Sequence, residues 1–238
     1  RPLSSRGIKV GDGSVGRSAR VGEIVEIGTV DYLAQSYALH QAPRLGCFVR
    51  TSHAGLDVIG VVAGSRTVGV DPSRRPTARG QDEADEDDLY RHHPELPELL
   101  RTEFTVRIVG FCQNGHYYHC LPPVAPRLHG FVYTCTPDEV CAFTERLAFL
   151  RGLLQPASGL TAPSDELVAA CIRAAEAARG GDRTFRVRAG KEVVSALLSD
   201  VTRLDAILRR IQEMGDAVTP SEEPPSNGRV PRRLQRGR

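Results

Sequence analysis

Three groups of residues have the types and spacing that chemistry needs. Gly11-Asp12-Gly13-Ser14-Val15-Gly16-Arg17-Ser18 spells the glycine pattern GxGxxG and approximates the phosphate loop GxxxxGK[ST]. A working phosphate cradle follows a buried strand, carries an ammonium that reaches the phosphates, and opens a helix whose N-terminus completes the anion site. Here Arg17 replaces the lysine, Arg1 to Val10 is too polar for a buried strand, and Arg20 to Thr29 reads as β. The segment reads as a tail, and a degenerate nucleotide site over 11–18 stands only as an alternative function.

The second group is Cys112, His116, His119 and Cys120, four zinc-ligand types within nine residues. Asn114-Gly115 between them is the dipeptide of a two-residue type I′ hairpin. Pairing Cys112 with Tyr117 sends Cys112 and His119 to one face and His116 and Cys120 to the other, so no four-ligand site is expected. The third group, His92-His93 beside Asp87 and Asp88, sits in a proline-bounded acidic run and reads as a hydrated loop. No GxSxG elbow is present, and no cysteine has an evident histidine partner. Lys191 reads as a surface residue near the start of a helix. No catalytic, cofactor-binding or metal-ligating residue is assigned, no cofactor is expected, and the chain reads as non-enzymatic.

The elements that hold these residues come from a chain of 238 residues, with 40% hydrophobic and 25% charged residues. That composition supports a packed core. There are 31 Lys and Arg against 29 Asp and Glu, a net charge of +2 that does not by itself point to nucleic acid. No apolar run is long enough to span a bilayer, and the first twenty residues lack a signal-peptide core, so the expected location is cytoplasmic with reduced, mostly buried thiols.

The tail, residues 1–19, is rich in Gly, Ser and Arg. From Arg20, the runs Val21 to Thr29, Tyr37 to His40, Cys47 to Thr51 and Val58 to Val70 read as strands of a small all-β unit. Residues 71–100 are an acidic connection with a helical turn at Glu95 to Leu100. The hairpin Phe104 to Leu121 and a strand over Leu128 to Thr134 complete the β unit. Thr136-Pro137-Asp138-Glu139 is a capping box that opens a closing helix over 137–154. A linker, 155–163, leads to a helical appendage over 164–214, with one helix capped at Ser164 and stopped at Gly180-Gly181. The last helix, about Gly190 to Met214, places Val194, Leu197, Val201, Leu204, Leu208 and Ile211 on one heptad seam. Residues 215–238 form a basic tail.

The order of features from Arg20 to about Leu154 resembles the HAS barrel, the small barrel in the N-terminal parts of HerA-type DNA-translocating ATPases and rotary ATP synthase subunits. The likeness rests on Gly22-Glu23-Ile24-Val25, Leu45-Gly46-Cys47-Phe48-Val49 and Val58-Ile59-Gly60-Val61-Val62. It rests also on His93-Pro94-Glu95-Leu96 and on Leu121-Pro122-Pro123-Val124-Ala125-Pro126 leading into Gly130-Phe131-Val132-Tyr133. The family's RecA-like motor has no counterpart after Gln155, so ATP hydrolysis does not carry over. The resemblance implies a rigid collar on which other subunits dock.

The expected fold is therefore an all-β, HAS-like barrel followed by α-helices, α+β overall. The expected function is a non-catalytic assembly or adaptor protein, associated with a HerA-like or other ring ATPase through Val194, Leu197, Val201, Leu204, Leu208 and Ile211, by self-association or with a partner. The alternative is a nucleic-acid-binding barrel using Arg44, Arg50 and Arg107, with weak contact through Arg229, Arg232, Arg233, Arg236 and Arg238.

Overall fold

The computed structural model describes residues 18–71, 73, 75–155 and 162–213. The glycine pattern up to Arg17 and the basic tail with Arg229 to Arg238 lie outside the described residues.

The chain forms a closed antiparallel barrel of six strands. In chain order these are β1 (Arg20–Ile27), β2 (Asp31–Ser36), β3 (Phe48–His53), β4 (Leu56–Gly69), β5 (Leu100–Gln113) and, after the short β6 (His116–Tyr118), β7 (Phe131–Thr134). Around the barrel the order is β1-β2-β5-β4-β3-β7, and β7 pairs back onto β1. β6 adds only a hairpin to β5. Its register is the one the Asn-Gly turn dictates, with Cys112 opposite Tyr117 and Asn114 and Gly115 both at positive φ.

Alternation along the strands sorts apolar side chains into two cores. Ile24, Tyr32, Ala34, Val49, Val58, Val62, Phe104, Val106, Ile108 and Val132 point inward and fill the barrel. Gly60 also faces inward, and a Cβ there would lie 2.3 Å from Val106 Cγ1, so the interior has no room for a side chain at that point. Phe48, Ile59, Val61, Ala63 and Val109 point outward and are buried too. Two short helices, α1 (Glu86–His92) and α2 (Leu96–Leu99), lie in the acidic connection, and the outward residues are covered by the later helices α3 (Pro137–Phe143), α4 (Phe149–Leu154), α5 (Ser164–Ala177) and α6 (Arg183–Ala196), with α7 (Val201–Glu213). One continuous core joins this outer wall to Phe143, Leu150, Leu167, Ile172, Val193 and Ile207.

Several sequence expectations need correction. Tyr37 to His40 is a turn, with His40 at φ 61°, and the strand lies just before it as β2. Ala34 and Gln35 carry little β signal, and the strand is set by burial of Tyr32, Ala34 and Ser36. The acidic connection contains a helix, Glu86–His92, because Asp85 caps it by accepting from Asp88 N–H at 2.8 Å and the next three acids favour its N-terminus. The closing helix is two helices, since Thr144 turns its hydroxyl back to the Val140 carbonyl at 2.6 Å and ends the first. The long last helix is also two. Asp182 caps the first by accepting from Thr184 N–H, and Asp200 caps the second by accepting from Arg203 N–H at 3.0 Å. Thr184 to Arg188 thus opens a helix, and Lys191 lies in its second half, exposed.

α5 sits close to the barrel where Gly46, at φ 78°, abuts the Ala170 backbone. A Cβ at Gly46 would lie 2.5 Å from the Ala170 carbonyl carbon, so both the conformation and the space exclude a side chain. Gly46→Ala is expected to destabilise the fold by about 2 kcal/mol or more, read as a lowered urea midpoint with unchanged slope.

Candidate functional site

The seam residues do not share one exposed stripe. Leu197 and Ile211 are buried in the common core, and Leu204 and Leu208 are half-buried against it. Val194 is half-buried on α6, while Val201 is 70% exposed and lies close in sequence to Leu198, 71% exposed, across the α6–α7 break. Charged clasps hold the helical layer. Glu176 accepts two bonds from Arg186 at 2.6 and 2.7 Å, and Arg203 donates to Asp165 and to the Leu154 carbonyl, each at 2.7 Å. The most exposed apolar side chains of the helical layer are Leu198 and Val201, which form a corner, with Val187 on α6 59% exposed.

The candidate zinc residues separate as their register requires. His116 and Cys120 are exposed, Cys112 and His119 half-buried, and among the described residues no group of three or more His, Cys, Asp or Glu converges. His92 pairs with Glu83 at 2.7 Å and His93 with Glu95 at 3.3 Å, both on the surface of the acidic insertion. The thiols are reduced, with Cys171 buried, Cys120 exposed and the rest between. Burial pushes Cys47 up to about 11 and raises Cys135 and Cys171 further, which leaves all three as inert thiols at neutral pH.

Of the three arginines expected on the barrel face, Arg44 is exposed in the turn before β3. Arg107 is half-buried, with one guanidinium nitrogen buried and unpartnered. Arg50 lies 2.9 Å from Glu139 and 5.4 Å from the Tyr133 ring centroid. The three do not cluster. A different set does, on strands β1 and β7. Val132 is wholly buried inside the barrel, so its neighbours Phe131 and Tyr133 face out, and Phe131 is 44% exposed. Register places Glu23 opposite Phe131 and Arg20 opposite Tyr133. The Arg20 guanidinium lies 4.8 Å from the Phe131 centroid and 5.2 Å from that of Tyr37, which is 53% exposed. Glu23 accepts from Tyr37 at 3.4 Å and pairs with His129 at 2.6 Å. Partial desolvation, then Glu23, hold the Tyr37 phenol above its ordinary value. The sequence signal was there in the alternation of Phe131 and Tyr133, but which barrel face the helices leave bare is not written in any local pattern.

Clefts open in at least two places among the described residues. One, about 320 Å³, opens beside Glu26, Asp31, Ser65, Arg66, Glu103 and Thr105. Its deepest carboxylate, Glu103, is already engaged by Arg66 and Arg101 at 2.9 and 2.7 Å. The other, about 620 Å³, is a groove between α5 and α7 beside Arg173, Arg209 and Arg210, with Glu166 and Asp205 on the same walls.

His119 is turned into an aromatic cage, its ring centroid 4.6 Å from that of Phe143 and 5.5 Å from that of Phe149. Its Nε2–H donates to the Phe143 carbonyl at 2.9 Å, because a carbonyl only accepts, and its Nδ1 is buried with no partner. Burial is the main cause holding the imidazole below the ordinary 6.5; Arg146 adds to it and the Phe143 carbonyl opposes it. Below about pH 6.5 the unfolded chain binds a proton that the folded one refuses, so stability is full above that pH and falls as pH drops toward the folded value. The melting temperature should fall between about pH 7 and pH 5, and His119→Phe should fall less over the same range.

The class of protein that fold and surface define is a small closed β-barrel, packed solid inside and covered by helices on part of its wall. Set against protein-family models and curated proteins, the chain matches none. Among the described residues no helix is long and apolar enough to cross a membrane.

Proposed function

We propose that the protein is a non-catalytic assembly module of the HAS-barrel kind, a rigid collar for a partner such as a HerA-like or other ring ATPase. Closure supports this reading: with β2 paired to β5 and β7 to β1, no barrel strand offers a free edge, so recognition falls to side chains on the outer surface. The single observation that carries it is the Leu198 and Val201 corner. Leu198, in the turn after α6, and Val201, the first residue of α7, stand more than two-thirds exposed, more than any other large apolar side chain among the described residues.

The contact is narrower than the whole heptad seam. Leu204 and Leu208 pack against the protein's own core, so a charge at either would damage the fold before it damaged an interface. Leu198→Asp with Val201→Asp separates the two effects. The double variant should keep the parent's melting temperature while losing self-association or partner binding, measured by light scattering and by pull-down from the native source. An unchanged mass together with an unchanged set of bound partners would overturn the reading.

A further inference from the structure

We propose that the barrel face built on β1 and β7, which the described helices leave uncovered, is a platform for single-stranded nucleic acid, with bases stacking on Phe131 and Tyr37 and a phosphate meeting Arg20. This goes beyond the assembly role and uses different residues. Four observations carry it. Phe131 and Tyr37 expose their rings on ordered backbone, and the β1–β7 ladder fixes Phe131 in place. Arg20 is shared between those two rings, and no described carboxylate pairs with it. The acids nearest these rings are both engaged, Glu23 by His129 and Tyr37 and Glu139 by Arg50. The face is extended by Tyr133, over which Arg50 lies, so rings and guanidinium planes follow one another across the sheet.

The spacing suits stacked planes. Phe131 and Tyr133 are two residues apart on one strand, about 6.6 Å at the usual rise, which is close to two stacking distances of about 3.4 Å. Every base has a face to stack, so a platform of this kind binds without strong sequence preference. A protein partner would also favour Tyr and Arg. Nucleic acid is preferred because Arg20, the cation beside the two exposed rings, has no described carboxylate partner.

The test uses the full chain and a fluorescein-labelled deoxythymidine oligonucleotide, followed by anisotropy. The chain has no Trp, so quenching of tyrosine emission gives an independent readout of bases stacking near Tyr37. The parent should bind, with a shallow dependence of log affinity on log salt, about −0.7 per phosphate contacted. Phe131→Ala and Tyr37→Ala should each weaken binding about tenfold at an unchanged melting temperature. Arg20→Ala should weaken it and flatten the salt slope. Leu198→Asp with Val201→Asp should leave it untouched, which keeps this test separate from the assembly reading. The proposal is overturned if the parent does not bind, if the three single variants bind as the parent does, or if Phe131→Ala alters only the protein's own mass in solution.

Discussion

Strand β4 has no solvent side between Val58 and Ala63, and the rest of the molecule is arranged around that constraint. Val58 and Val62 face the barrel interior; Ile59, Val61 and Ala63 face the helices; Gly60 fills the one inward position where nothing larger fits. A strand buried on both faces needs two cores, and each core is incomplete without the other's wall. The barrel therefore needs its helices, and the helices need the barrel. The aromatic cluster of Phe48, Phe143 and Phe149, with centroids 5.3 to 6.1 Å apart, sits at the seam where the two meet.

That arrangement divides the surface into a part covered by helices and a part they leave uncovered. Where helices lie on β3, β4 and β5, side chains are committed to stability, and the clasps of Glu176 with Arg186 and Asp165 with Arg203 hold the layer in register. Where they do not lie, on β1 and β7, rings and guanidinium groups are free to meet something else. The corner at Leu198 and Val201, proposed for assembly, and the ring-bearing sheet face use different residues. A collar that holds a partner with one surface and a strand with another is the combined reading.

Much of the β unit was legible in the sequence because its signals are local. The Asn114-Gly115 turn fixed the hairpin register to the residue, the Thr136 capping box marked the start of α3, and Gly180-Gly181 marked the end of α5, where Gly181 N–H meets the Glu176 carbonyl at 3.0 Å. What was misread depended on distant partners or on a cap hidden inside a longer pattern. β2 has a weak strand composition and is made a strand by two neighbours, β1 and β5, that close the barrel across it. The heptad seam was real as a pattern, yet Ser199-Asp200 interrupts it with a cap, and a period alone does not reveal a cap inside it. Charge runs misled in the same way: Asp85 to Asp88 looked like a hydrated loop and is the capped first turn of a helix.

The acidic insertion has a topological meaning of its own. β4 and β5 remain paired as far as Gly69 and Leu100, and Val70 N–H reaches the Leu99 carbonyl at 2.9 Å, so the insertion leaves and rejoins the barrel at neighbouring points. Neither of its helices buries a residue, and His40 fastens it through a 2.8 Å bond to Tyr90. In architectural terms it is the oversized tip of an ordinary hairpin. Because closing a longer loop adds entropy cost only logarithmically, this tip is the natural place for length and sequence to drift between species, or for a foreign domain to be grafted, while the barrel wall stays unbroken.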